Sequence, residues 1–297
     1  MTNLKKLFAK FPSVICAVQF GSSISGDTYN GSDIDLLVII KNKKDTFDER
    51  LKEELNGKYQ IHLHTKNDFL ASVRKREPLS LSIVHTGKAL KNGAFIEALK
   101  NYKPTMNTAK KCMLNSFAAL GLGVSDLIQG MTYDAVNSIY HAARSSIWAT
   151  LMPEITPNNK RVLELLKDKK MRTKFKRIIA FRQNIPDNDI DRDCIWDGTR
   201  NAFTDLLDKS SSIIKQNYSA LFRKNFVDVF TLLQQIKKNH KKPAFYSILL
   251  SVDWDKQLPF YHVMLSYDKK WISMTINANT GKIMERQIKT RKISGPD

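Results

Sequence analysis

Apolar residues fall into three textures along the chain. In the first hundred residues short apolar runs alternate with helical spacing. Val14, Ile15, Val18 and Phe20 predict a short buried strand over 13–20, and 34–40 is a nearly continuous run of β-branched residues and Leu. Residues 58–64 predict a third strand. Between the last two, 46–55 has helical spacing and ends before Gly57, a suitable C-cap. Residues 67–76 and 79–84 predict further short helices, broken at Pro78. Such alternation predicts an α/β unit with a small mixed sheet.

From Pro104 the period lengthens. Residues 106–129 and 132–151 predict two long helices, the second carrying Ala135, Ile139, Ala142, Ala143, Ile147 and Leu151 at helical spacing. Pro153 and Pro157 end that run. Residues 158–182 predict a third helix and 201–215 a fourth, joined by an Asp- and Asn-rich loop over 185–197. This is the pattern of an antiparallel bundle. Residues 222–238 read as a helix leading into a third texture. There 245–252, 260–267, 271–277 and 282–289 alternate apolar and polar residues, with turn signals at 253–255, 268–270 and 279–281. That predicts an antiparallel meander, whose Trp and Phe residues read as core rather than as a base-stacking platform. The expected class is α+β in three parts: a mixed-sheet domain over 1–100, a helical bundle over 101–220, and a helix with a small β module over 221–297.

Charge adds a direction to this picture. Lys and Arg number 48 against 29 Asp and Glu, a formal net charge of +19 over 297 residues. Such an excess favours polyanions, whether nucleic acid, nucleotides or an anionic surface, although a lysine-rich solvated surface accounts for it equally well. The basic residues concentrate in 160–182, where ten stand against two acidic ones. Val162, Leu165, Leu166, Phe175, Ile178 and Ile179 give that segment an apolar side. It is either an ordinary amphipathic face or a track that takes RNA, DNA or a protein acceptor.

Cys16, Cys112 and Cys194 are far apart, and no CxxC pair exists. That excludes zinc-knuckle and thioredoxin-type motifs and suits a reducing compartment. Residues 1–10 are basic but lack an apolar signal core, and no apolar run approaches the ~20 residues of a membrane span. The expected compartment is the cytoplasm, with no membrane partner.

Candidate chemistry lies in residues 20–38. Gly21 and Ser22 directly follow the first strand. A glycine there lets the backbone approach a phosphate, and the hydroxyls and amides of Ser22 and Ser23 can donate to its oxygens at the start of a short helix. Asp33 and Asp35 are two apart in the second strand, so both carboxylates share one face while Ile34, Leu36 and Val38 turn to the core. Paired carboxylates repel unless a cation lies between them, and Mg²⁺ carrying nucleotide phosphates fits.

Phe20-Gly21-Ser22-Ser23-Ile24-Ser25-Gly26-Asp27, followed by Ser32-Asp33-Ile34-Asp35-Leu36-Leu37-Val38, resembles the signature of the DNA polymerase beta-type nucleotidyltransferases, in their minimal branch. The likeness spans about the first 90 residues. It implies that Asp33 and Asp35 bind the metal, Mg²⁺ or Mn²⁺, and are catalytic. Gly21, Ser22, Ser23 and Ser32 would hold the triphosphate of a nucleoside triphosphate, with ATP the expected donor. The implied reaction is in-line attack of an acceptor hydroxyl on the α-phosphorus with loss of pyrophosphate. The acceptor is a protein hydroxyl, a small molecule such as an aminoglycoside, or an RNA end.

One position departs from the family. A third carboxylate usually stands on the next strand, where this chain has Ile61-His62-Leu63-His64-Thr65. His62 takes that position. An imidazole can serve as the base, but it suits Mn²⁺ or Zn²⁺ better than Mg²⁺. Three readings follow: an altered active site with His62 catalytic, a nucleotide-binding protein with little turnover, or a shifted alignment with Asp68 in reach. The alternative to an enzyme is a non-catalytic regulator that binds nucleotide or nucleic acid.

Tyr140-His141-Ala142-Ala143-Arg144, within 114–152, resembles the opening helices of HEPN domains, which often accompany minimal nucleotidyltransferases. None of the six histidines has an Arg at the upstream distance of the HEPN ribonuclease motif, so no ribonuclease activity is expected and His141 reads as a packed or bonded helix residue. The hairpin from Trp271 to Ile283 faintly resembles PepSY-type domains and implies a small interaction module.

Overall fold

The structure is a computed structural model. It describes every residue except 1–3, 29–32, 42–50, 52, 55–58, 153, 155–157, 187–192 and 291–297. The helix expected over 46–55 therefore falls largely outside the described residues, although Leu51, Glu53 and Glu54 are helical. The chain forms two compact units, Met1–Lys111 with Leu151–Leu165, and Cys112–Thr150 with Leu166–Asp297.

The first unit is built on a four-stranded mixed sheet. Its strands are β1 (Val14–Phe20), β2 (Ile34–Ile40), β3 (Tyr59–Thr65) and β4 (Lys88–Lys91), in the order β3-β2-β1-β4. β1 runs antiparallel to β2 and β4, and β2 runs parallel to β3. The helices are α1 (Leu4–Ala9), α2 (Ser22–Ser25), α3 (Lys66–Arg74), α4 (Pro78–Thr86) and α5 (Gly93–Glu97). Pro78 opens α4 at its first turn, where the missing N–H has no helical partner to lose.

Both faces of this sheet are covered: Ile34, Leu36 and Val38 face a core as expected, and the strand's other face meets a second one. Leu37 and Ile39 pack with Val18, Phe20, Phe69, Val73 and Leu81. Leu36, Val38 and Ile40 pack on the other side with Leu7, Phe8 and Val14. The second cover is α1, whose Leu7 and Phe8 are hidden in the sequence among Lys5, Lys6 and Lys10. β4 was also not expected, being four residues bounded by lysines. Lys91 is held there by donating to the carbonyls of Phe8 and Phe11, 3.0 Å each.

The second unit joins helices and a sheet. Its parts are α6 (Met106–Gln129, from Cys112 onward), α7 (Thr132–Leu151, as far as Thr150), α9 (Lys169–Gln183), α10 (Cys194–Asp197), α11 (Ala202–Phe222) and α12 (Val229–Lys237). The sheet is an antiparallel meander of β5 (Phe245–Asp253), β6 (Leu258–Ser266), β7 (Lys270–Asn277) and β8 (Ile283–Thr290). Its inner residues Ile248, Leu250, Val263, Leu265, Ile272 and Met274 are buried. Helix and sheet are pinned by polar atoms as well. Tyr246 Oη accepts from the Trp196 amide at 3.0 Å, and Tyr218 Oη donates to Asn279 at 2.9 Å. Phe117 lies edge-on to Tyr218, with ring centres 4.9 Å apart.

Three expectations change here. The helix expected over 158–182 is two helices, α8 (Asn159–Leu165) and α9. Asp168 caps α9 by accepting from the amides of Lys170 and Met171 at 2.8 and 3.0 Å, while Arg172 bonds the Leu166 carbonyl. α6 is long and apolar enough by length and composition to cross a membrane, against the expectation that no run approaches that length; most of it is buried inside the protein. Finally, the C-terminal aromatic residues are not all core. Phe245 is 52 % exposed and Trp254 51 %. Strand alternation turns Phe245 outward while Tyr246 beside it turns in.

Candidate functional site

β1 ends at Phe20, and the chain turns at once into the single-turn α2. Gly21 makes that turn with φ +77°, in the left-handed region that favours glycine. A second constraint acts on the same residue. β1 and β2 pair Phe20 with Asp35, which brings the aspartate against the turn, and a Cβ at residue 21 would lie 2.1 Å from Asp35 Oδ2. Only a glycine lets that carboxylate sit against the backbone.

The amides of Ser22 and Ser23 open α2, where first-turn N–H groups have no partner within the helix. The Ser23 hydroxyl is engaged, donating to the Phe20 carbonyl and accepting from Gln19 Nε2, both at 3.2 Å. Its amide is thus the group left to face an anion. Gly26 closes the turn with φ +78°. The next residue, Asp27, was not singled out from the sequence. Its carboxylate accepts from the Asn159 amide at 3.0 and 3.1 Å and from the Ser25 hydroxyl at 3.1 Å. It therefore ties the start of α8 to the α2 turn. An acid just past a glycine-capped turn is the only sequence signal, and its partner lies 132 residues away.

Asp33 is exposed and immediately precedes β2, and Asp35 is the second residue of the strand. The parallel register of β2 and β3 sets Asp35 opposite Gln60 and Leu37 opposite His62. Asp35 and His62 are thus diagonal neighbours on one face. Their side chains are 23 % and 29 % exposed, and His62 Nε2 lies 3.7 Å from Asp35 Oδ1. Phe20 meets the His62 ring edge-on, with centres 5.2 Å apart. His64 shares that face and lies near Phe69. Burial lowers its pKa, the His62 charge lowers it further, and Asp68 opposes both.

The structure therefore gathers Gly21, Asp35 and His62, with Asp33 at the strand entrance and Ser22 and Ser23 on the adjoining turn. Ser32 lies outside the described residues. Asp68 is engaged elsewhere. It accepts from the Thr65 hydroxyl at 2.7 Å while its amide donates back to Thr65 at 3.2 Å, closing the start of α3. His141 lies in the second unit and is exposed, with its ring edge-on to Tyr140 at 5.0 Å.

Two carboxylates beside an imidazole suit a divalent cation. Among the described residues no group of three or more His, Cys, Asp or Glu side chains comes together as a metal centre. Asp33 and Asp35 would hold such a cation with few protein contacts, as Mg²⁺ tolerates when phosphates and water complete its shell. Gly21→Ala is expected to displace the Asp35 carboxylate and weaken Mn²⁺ binding at least about tenfold, since losing ~1.4 kcal/mol suffices. Mn²⁺ titration followed by electron paramagnetic resonance reads this, and unchanged affinity in the folded variant would refute the close approach of Asp35 to the turn.

The family described as polymerase beta, nucleotidyltransferase matches residues 2–93. No curated protein matches the chain. Among solved structures, a nucleotidyltransferase-like protein from Exiguobacterium sibiricum 255-15 is similar at 12 % identity, over 79 % of this chain and 78 % of that one, with a TM-score of 0.30. That likeness is distant, and the family match stands without it. Residues 2–93, which hold Gly21, Asp33, Asp35 and His62, are thus the part of the chain that is similar to the nucleotidyltransferase domain of the polymerase beta family.

Proposed function

We propose that this protein transfers a nucleoside monophosphate from a nucleoside triphosphate, ATP first, to an acceptor hydroxyl. The observation that carries the reading is the close approach of Asp35 to the Gly21 backbone with His62 Nε2 at 3.7 Å, all at one end of three paired strands. The α2 turn binds the triphosphate through the amides of Ser22 and Ser23, with Ser32 nearby in sequence. Asp33 and Asp35 hold Mg²⁺ or Mn²⁺, which when bound neutralises phosphate charge and stabilises the attacking and leaving oxygens. The acceptor oxygen bonds to the α-phosphorus, the bond to pyrophosphate breaks, and the hydroxyl proton passes to His62 Nε2.

Asp68 is a weaker candidate for the base than His62, because its carboxylate is bonded to Thr65. The acceptor is a protein hydroxyl, a small molecule such as an aminoglycoside, or an RNA end, and the reaction belongs to the cytoplasm. Lys160, Lys169, Lys170, Lys176 and Arg177 are exposed, which supports the 160–182 segment as a contact for a polyanionic acceptor. The HEPN-like sequence of α6 and α7 supports a helical companion to the transferase and not a second nuclease.

A second reading, a non-catalytic binder of nucleotide or nucleic acid, is favoured by His62 and by the +19 charge. Incubation with each labelled nucleoside triphosphate, Mg²⁺ or Mn²⁺, and RNA, protein and aminoglycoside acceptors separates the two. Label transfer that vanishes in the Asp33→Ala, Asp35→Ala variant is the expected result. No transfer with either metal, together with tight, salt-sensitive RNA binding, would replace the enzyme with the regulator.

A further inference from the structure

The outer face of the C-terminal sheet carries a feature that nucleotidyl transfer does not use. Phe245 on β5 pairs directly with Ser266 on β6, and Ser266 pairs directly with Trp271 on β7. Direct cross-strand partners share a face, so these three side chains stand in a row: aromatic, small, aromatic. Adjacent strands are about 4.7–4.9 Å apart, so the two aromatic residues are rooted about 10 Å from each other. Ser266 between them is too small to fill that space. The result is a gap between the two aromatic residues, and a cavity of ≈ 260 Å³ opens there, lined by Phe245, Met264, Ser266, Tyr267, Lys270 and Trp271. Phe245 and Met264 are 52 % and 38 % exposed.

The rim is basic. Trp271 pairs with Lys289 on β8, and the Lys289 ammonium lies 5.2 Å from the indole centre. Strand order puts Lys289 on the β8 side of the indole and leaves the side toward Ser266 open. Lys270 lies 5.8 Å from the Tyr267 ring, and the Tyr267 hydroxyl donates to the Lys241 carbonyl at 3.0 Å, which fixes Lys241 at the same end. Lys241, Lys269, Lys270 and Lys289 are exposed, and Asp268 is the one acid on the 267–270 turn. Cations thus stand at the turn end of the aromatic slot and beside its indole wall.

We infer that this slot binds a base of single-stranded nucleic acid, sandwiched between Phe245 and Trp271, with the flanking phosphates on Lys270 and Lys289. Base–aromatic stacking is indifferent to sequence, and the lysines follow the backbone on either side of the stacked base. The slot encloses a ring but not a sugar and its phosphates. Affinity therefore comes from a strand that carries phosphates on both sides, and not from a free nucleotide. Duplex is excluded because its bases are already stacked. Strand binding here is independent of the proposed transfer reaction, which rests on the other unit.

The test is fluorescence anisotropy with a labelled single strand of about 12 nucleotides, a duplex of the same sequence, and unlabelled mononucleotide as competitor, using the full chain. The single strand is expected to bind more tightly than the duplex and more weakly as salt rises. Phe245→Ala and Trp271→Ala should each weaken binding about tenfold, in line with the value of one stacked base, while Trp271→Phe keeps most of the affinity. Phe245 is half in solvent, so its truncation keeps the result readable if Trp271→Ala misfolds. The Asp33→Ala, Asp35→Ala variant should bind the strand as the wild type does, so that failure of the transfer reading and failure of this one are told apart. Unchanged affinity in Phe245→Ala, equal binding of duplex, or mononucleotide competing as well as the strand would each overturn the inference.

Discussion

Asp35→Asn is expected to lower nucleotidyl transfer by about 10³-fold or more, because a metal-held transition-state charge is worth several kcal/mol and each ~1.36 kcal/mol is a factor of ten. The amide preserves the shape that fits against Gly21 but removes the charge that a divalent cation needs. Stability should change little, since the side chain stands 23 % exposed beside His62 and is not sealed in a core. Varying His62 then separates two roles for that residue. If His62 takes the acceptor proton, His62→Ala loses about 10²- to 10⁴-fold in turnover while nucleotide binding stays close to wild type. His62→Asp restores the carboxylate usual in the family, and it should recover transfer with Mg²⁺. Single-turnover rates with the two metals, beside nucleotide affinities, read both effects. Transfer by His62→Ala within about twofold of wild type would show that His62 only packs against Phe20.

Gly121→Ala should be the most destabilising single-methyl change in the second unit. α6 crosses β5 so closely that a Cβ at 121 would lie 2.1 Å from the Leu250 carbonyl oxygen and 2.9 Å from its carbon and nitrogen. Alanine is the better helix former by up to ~1 kcal/mol. That gain is outweighed because the obstacle is strand backbone, which cannot turn to another rotamer. A net loss of about 3 kcal/mol is expected, the upper range for overpacking, or a drop in Tm on the order of 10 °C. Gly123→Ala provides the comparison. Its nearest obstacle, 2.6 Å away, is Ile139 Cγ1, a side-chain carbon that can shift, so a smaller loss is expected. Thermal unfolding followed by circular dichroism decides. A Tm for Gly121→Ala at or above that of wild type would mean that helix and strand separate more easily than their spacing implies.

The first unit shows how a local signal can be read while its surroundings stay hidden. Gly21-Ser22 and Asp33-x-Asp35 are short-range patterns, and their types already state a turn and a pair of carboxylates. The reach of His62 toward Asp35 depends on the β2–β3 register, which a parallel pair joined through a long connection does not display along the chain. Asp27 was missed because its partner, the Asn159 amide, belongs to a segment read as part of the helical bundle. α1 was missed because its two buried residues, Leu7 and Phe8, sit among lysines whose charge dominates the local pattern.

In the second unit the periodicities of α6, α7 and the four strands were legible within a residue or two, because each element buries a face and must repeat at its own period. Which faces meet was not legible. Gly121 reads as an ordinary helix glycine until Leu250 stands against it. Phe245 reads as core until alternation sends it outward and Tyr246 inward.

The sequence by itself determined most of the elements, the α+β class and the residue types suited to a metal and a phosphate, since all of these are local properties of spacing and side-chain chemistry. Only the tertiary structure decided that Asp35 presses on Gly21 with His62 at 3.7 Å, that Asp27 holds Asn159, and that Phe245 and Trp271 face each other across Ser266. Each of these contacts is set by strand register and chain packing. Those depend on the whole fold finding its lowest free energy, and no window of the sequence contains them.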